Sequence, residues 1–109
     1  MYNKAYEFSL AIHRLSLTFP KFEQFELGSQ LRRATKSIAM NIAEGYDKNE
    51  SIAELKRFMK IALGSCGETR VQLEYCSALG YINDDQFQEY EAKYVEISKM
   101  LVKMIKEWQ

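Results

Sequence analysis

At 109 residues the chain fits one domain, 1–109, and leaves no room for a second with its own core. Apolar residues make up 47% and charged residues 28%, too apolar for a disordered chain, and one proline with five glycines argues against a turn-rich sandwich or barrel. Lys+Arg and Asp+Glu number 15 each, so the net charge is zero and the pI about 6.6, which excludes a globally basic nucleic-acid binder and leaves only a local patch.

Four blocks of apolar residues recur every three to four positions, and each predicts a helix. The first spans about residues 3–18, with Ala5, Phe8, Ile12, Leu15 and Phe19 on one face; Pro20 is expected to end it, because the residue before proline avoids helical geometry. The second spans about 26–46 on Leu27, Leu31, Ala34, Ile38 and Ile42, with Gly45 and the polar run Asp47-Lys48-Asn49-Glu50 expected to stop it. The third, about 51–79, opens with Ser51 and Glu54 in capping-box spacing and closes at Gly80. Its stripe is Leu55, Phe58, Ala62, Ser65, Thr69, Gln72, Leu73, Cys76 and Leu79. The fourth, about 84–107, starts on Asn83-Asp84-Asp85 and carries Phe87, Tyr90, Tyr94, Ile97, Leu101, Met104 and Trp108. Lys99, Lys103 and Lys106 in its last turns suit the negative end of the helix dipole. Four such helices on short loops, with no alternating strand pattern, define an all-α fold, an antiparallel up-down-up-down four-helix bundle.

Several helices carry a second apolar set: Leu10 and Leu17, then Ile52, Met59, Cys66 and Leu73, then Val95 and Val102. These fit either a wide core-facing stripe or a contact with another subunit.

No stretch approaches the roughly 20 apolar residues that a bilayer crossing needs. Lys4, Glu7, His13 and Arg14 interrupt any signal-like run, so the expected location is the cytoplasm. Cys66 and Cys76 fall on one helix roughly 15 Å apart, too far for a disulfide, and are expected as buried thiols. His13 is the sole histidine, preceded three positions earlier by Leu10 where a di-iron bundle needs glutamate. One histidine with two distant cysteines makes no zinc ligand set either. Gly64-Ser65-Cys66-Gly67 falls mid-helix and reads as small residues that let helices approach, not as a phosphate cradle. With no base spaced to activate a nucleophile, the expectation is a protein that is not an enzyme and uses no metal or cofactor.

Two basic clusters share one pattern: Leu31-Arg32-Arg33-Ala34-Thr35-Lys36 and Leu55-Lys56-Arg57-Phe58-Met59-Lys60. A turn centred near residues 48 and 49 would set Lys36 level with about Ile61 and Met40 with about Arg57. Arg32, Arg33, Lys36, Lys56, Arg57 and Lys60 would then form a strip able to neutralise the phosphates of RNA or DNA without reading sequence. The same cations equally fit a solvated face, with Arg57 or Lys60 answered by Glu54. Asn41, Glu44 and Glu68 form a structural polar group beside them, and an Arg33–Glu68 ion pair is expected to fix the register of helices two and three.

Gln30-Leu-Arg-Arg-Ala34, Ser37-Ile-Ala-Met-Asn-Ile-Ala-Glu-Gly45, Arg57-Phe-Met-Lys-Ile-Ala-Leu-Gly-Ser65, Glu68 and Leu79-Gly-Tyr-Ile82 follow in order over nearly the whole chain. In these motifs the sequence resembles the bacterial four-helix-bundle family of ribosomal-RNA intervening-sequence proteins, which includes the accessory variability determinant of diversity-generating retroelements. The resemblance implies a homopentameric barrel and non-enzymatic work, with nucleic acid and a reverse transcriptase as partners of the retroelement members. It places Arg32, Arg33, Lys36 and Arg57 at the family's basic positions, and Asn41, Glu44, Gly45, Gly64, Ser65 and Glu68 at its polar and small ones. Ala39 stands where the family often has proline, so helix two is expected to be straighter there. The balanced charge sets this chain apart from the strongly basic retroelement members and favours a stand-alone or intervening-sequence member.

Overall fold

The computed structural model describes residues 1–48 and 50–107. Trp108, expected on the final turn of the last stripe, and Asn49, in the turn between helices two and three, lie outside the described residues. The elements are α1 (Tyr2–Ser16), α2 (Lys21–Phe25), α3 (Leu27–Asp47), α4 (Ile52–Ala78) and α5 (Asp84–Glu107), with no strand among the described residues. They form a rod of 44 × 22 × 19 Å. Helix α3 packs against α1 and α4, while α5 packs against α4 and more lightly against α1. Helices α3 and α5 therefore occupy opposite corners of the bundle.

The buried stripes are those of the periodicity. Ala5, Ile12 and Leu15 from α1, Leu31, Ile38 and Ile42 from α3, Leu55, Ala62 and Leu73 from α4, and Tyr94, Ile97 and Leu101 from α5 make the core. Helix α1 stops at Ser16, however, not at Pro20. The Leu17 and Thr18 amides donate to carbonyls three residues back, and the Ser16 and Thr18 hydroxyls donate to His13 and Leu15, tightening the last turn until it cannot propagate. Phe19 still reaches the core from the turn and tilts against Tyr81 at 5.4 Å. Pro20, with φ −50°, caps the start of the short α2 instead.

Gly45 does not stop α3, which runs on to Asp47. It is buried, and a Cβ there would lie 2.7 Å from Met59 Cε and 3.2 Å from Phe58 Cβ, so the missing side chain is what lets α4 approach. Helix α4 starts as expected, the Ser51 hydroxyl accepting the Glu54 amide at 3.1 Å, while the Glu54 carboxylate binds Arg57 rather than completing a capping box. It ends in a Schellman turn. Gly80 takes φ +79°, the Tyr81 amide donates to Cys76 and the Gly80 amide to Ser77. Leu79, expected on the buried stripe, falls past the last helical turn and points to solvent. Helix α5 opens with a reciprocal box, the Gln86 amide donating to Asn83 Oδ1 (2.8 Å) and the Asn83 amide to Gln86 Oε1 (2.9 Å).

The second apolar set divides. Met59, Cys66 and Leu73 are fully buried, so on α4 the wide-stripe reading holds, while Leu17 and Ile52 are exposed and Leu10, Val95 and Val102 half-buried. Burial pushes the thiols of Cys66 and Cys76 up to about 11, which keeps both protonated and unreactive at neutral pH. Tyr94 is buried outright, yet its hydroxyl has no hydrogen-bond partner. Tyr94→Phe removes an unpaid desolvation cost, so it should raise stability by about 1 kcal/mol and the melting temperature by roughly 5 °C. A melting temperature that falls instead would mean that the hydroxyl is bonded in solution.

Candidate nucleic-acid interface

The six predicted cations do not form one strip. Arg32 turns inward, donating from Nη1 to Ser16 Oγ and from Nη2 to the Gln24 carbonyl, both at 2.8 Å. It ties the ends of α1 and α2 to α3, so its guanidinium serves the fold before any ligand. Arg57 lies along its own helix, with Nη2 2.6 Å and Nε 3.2 Å from Glu54 Oε1 and its guanidinium 4.6 Å over the Phe58 ring. The Arg57 hydrogen bond holds the Glu54 carboxyl below the usual carboxylate range, and Arg57 is raised in turn. Arg33, Lys36 and Lys60 are exposed and Lys56 is half-buried; among the described residues none of the four has an ion-pair partner.

Register separates these four further. The Ser65 hydroxyl donates to Ser37 Oγ at 2.9 Å, so Lys36 stands level with about Cys66 and not with Ile61. Because α3 continues to Asp47 and α4 begins at Ile52, the turn is centred later than residues 48 and 49. The α3 cations and the α4 cations are consequently staggered by roughly 10–20 Å along the rod.

The expected polar group is joined only in part. Asn41 Nδ2 donates to the Ser37 carbonyl (2.8 Å) and to Ser37 Oγ (3.1 Å), extending the serine contact between α3 and α4. Glu44 is exposed and outside this network, and Glu68 accepts from Gln72 at 3.5 Å. Arg33 and Glu68 line one groove of about 330 Å³ with Ser37 and Ser65, but they form no ion pair. Two serine hydroxyls and the close approach at Gly45 do the work expected of that pair.

Two grooves were not foreseen. Lys99, Lys103 and Lys106 flank Val95 and Val102 along a groove of about 500 Å³ between α4 and α5, where Arg70 is held by Glu91 at 2.8 Å. The sequence signal was the four-then-three spacing of these lysines, which also suits a helix dipole. Tyr2, Tyr6, Leu10, Ala39, Met40 and Ala43 line an apolar groove of about 300 Å³ between α1 and α3. His13 is half-buried, a boundary residue. Among the described residues no three His, Cys, Asp or Glu side chains gather closely enough to hold a metal ion, and no helix is long and apolar enough to cross a membrane.

By class, then, this is an antiparallel helical bundle whose exposed features, among the described residues, are cations without ion pairs and apolar grooves. The chain belongs to the 23S rRNA-intervening sequence protein family, whose model matches residues 1–103. It is similar in structure to a protein of unknown function from the S23 ribosomal protein family of Bacteroides thetaiotaomicron, with TM-score 0.88, 29% identity, and 96% of this chain and 94% of that chain covered. No curated protein matches it.

Proposed function

We propose that this protein is a non-catalytic building block that assembles with copies of itself in the cytoplasm, working through the surfaces the assembly presents. The observation that carries this reading is exposed apolar surface on several sides of so small a rod. Met40 is 61% exposed beside Tyr2 and Tyr6 on the α1–α3 side, Val71 and Tyr75 stand open on α4, and Phe25 is 72% exposed on α2. Tyr2, Tyr6 and Met40 line one continuous groove, and contiguous apolar patches on soluble proteins mark interaction sites. A ring of five is the arrangement that the family resemblance supports. Light scattering on the purified chain tests it: an assembly of several 12.8 kDa chains is expected, and a single chain at micromolar concentration overturns it.

A second reading, contact with a nucleic-acid backbone, rests on Arg33, Lys36, Lys56 and Lys60, the cations of the predicted clusters that neither pair with an acid among the described residues nor, like Arg32, bond the fold. Four phosphate contacts give a slope of roughly −3 to −4 in log affinity against log salt. Changing all four residues to glutamate should abolish binding of an RNA duplex. Undiminished binding by that variant removes the reading.

A further inference from the structure

We infer that successive copies meet through α5 of one and α3 of the next: the Met40 side chain enters the Val95–Val102 groove, and Glu44 and Asp47 meet the row Lys99, Lys103, Lys106. The inference rests on the self-assembly reading and names its interface. Both faces are present, and neither is closed by an ion pair among the described residues, Glu44 meeting only the longer-range charge of Arg57. On α3, Met40, Glu44 and Asp47 form an exposed stripe; on α5, Lys99, Lys103 and Lys106 are exposed at the same four-then-three spacing, with Val102 half-buried among them. The ion pairs of the described residues are Lys4–Glu96, Arg57–Glu54, Arg70–Glu91 and Lys93–Glu89, so none of these five charged side chains is paired.

The faces do not pair in the same molecule, because α3 and α5 sit at opposite corners and none of these charges forms an ion pair among the described residues. Their heights nevertheless match. The Tyr46 hydroxyl reaches Met104 Sδ at 3.8 Å, so residues 44–47 of α3 and 103–106 of α5 lie at one end of the rod within about one turn. Helices α3 and α5 also run in the same direction. A rotation about an axis along the rod, with little slip, therefore brings α5 of one copy beside α3 of the next. Such a contact is heterologous, and with little slip along the axis it forms a ring where the rotation closes. Lys36, one turn before Met40, falls at the height of Val95 and Ser98, clear of the lysine row. A nucleic-acid strand on the same lysines would leave the valine floor and the Met40 side chain without a role. Methionine on valine supplies the packing, and the charges at its edge set register and exclude other pairings.

Three variants test this: Lys99→Glu/Lys103→Glu/Lys106→Glu, Glu44→Lys/Asp47→Lys, and the chain carrying all five changes. With helicity checked by circular dichroism, each single-face reversal is expected to shift the scattering mass to 12.8 kDa, and the five-change chain to regain the wild-type mass. The interface is overturned if the wild type assembles and either reversal leaves its mass unchanged, or if the five-change chain stays monomeric. It is equally overturned if the lysine reversal abolishes RNA-duplex binding while the assembly persists, which assigns the row to a polyanion. A wild type that is monomeric overturns the self-assembly reading itself, a result distinct from these.

Discussion

Leu31→Ala is expected to lower the unfolding free energy by about 3–4 kcal/mol, in the range of fully buried leucine truncations that leave a cavity. Leu31 is wholly inaccessible on α3, the one helix packed against α1, α2 and α4 together, so no neighbour can move in without disturbing another contact. Total stabilities of small domains are about 5–15 kcal/mol, and the loss corresponds to a fall in melting temperature on the order of 15 °C. Urea denaturation measures it. A loss under about 1 kcal/mol would show that the centre of α3 relaxes freely, contrary to the tight fit at Gly45.

Arg32→Ala should cost about 2–3 kcal/mol, since hydrogen bonds from a charged donor are worth more than neutral ones. Its guanidinium spans the buried Ser16 hydroxyl and the Gln24 carbonyl, and α2 has no buried residue of its own to hold it down. Apart from Arg32, the α2 segment is anchored by Glu23, which accepts the Tyr81 hydroxyl at 2.7 Å, and by Gln24 Nε2, which donates to the Leu17 and Phe19 carbonyls at 3.1 and 3.0 Å. The variant should therefore unfold earlier in urea and be cleaved faster near residues 21–25, while RNA-duplex affinity stays where it was. Weakened RNA binding with unchanged stability would return Arg32 to the ligand-binding cations.

The four long helices are legible because each buries a stripe, and a stripe writes itself into the spacing of Leu31, Ile38 and Ile42 or of Tyr94, Ile97 and Leu101. Caps are legible where a side chain does the capping, as Ser51 and Asn83 do. Helix α2 buries nothing, and with Phe22 and Phe25 turned to water its apolar residues carry no period that points inward. Gly45 has two meanings in a sequence, a stop or a close approach, and only the position of Met59 and Phe58 decides between them. Of the candidate site, the exposure of Arg33, Lys36 and Lys60 followed from their place opposite the stripes. The inward turn of Arg32 did not, since it depends on where α1 ends, four residues before the proline that marks the break. The missing Arg33–Glu68 pair is another matter of side-chain direction: the two residues stand at nearly the same height and line one groove, yet Glu68 accepts from Gln72 on its own helix instead.

The turn between α4 and α5 decides more than where a helix begins. Gly80 and Asn83 close it from both sides, leaving its backbone one way to run. A helix behaves as a stiff shaft, so one residue added or lost there would rotate everything downstream by about 100°. Tyr94 and Ile97 would swing out of the core, and the lysines some twenty positions further on would sweep toward it. The compass bearing of that distant surface is thus set in a few residues at the far end of the molecule.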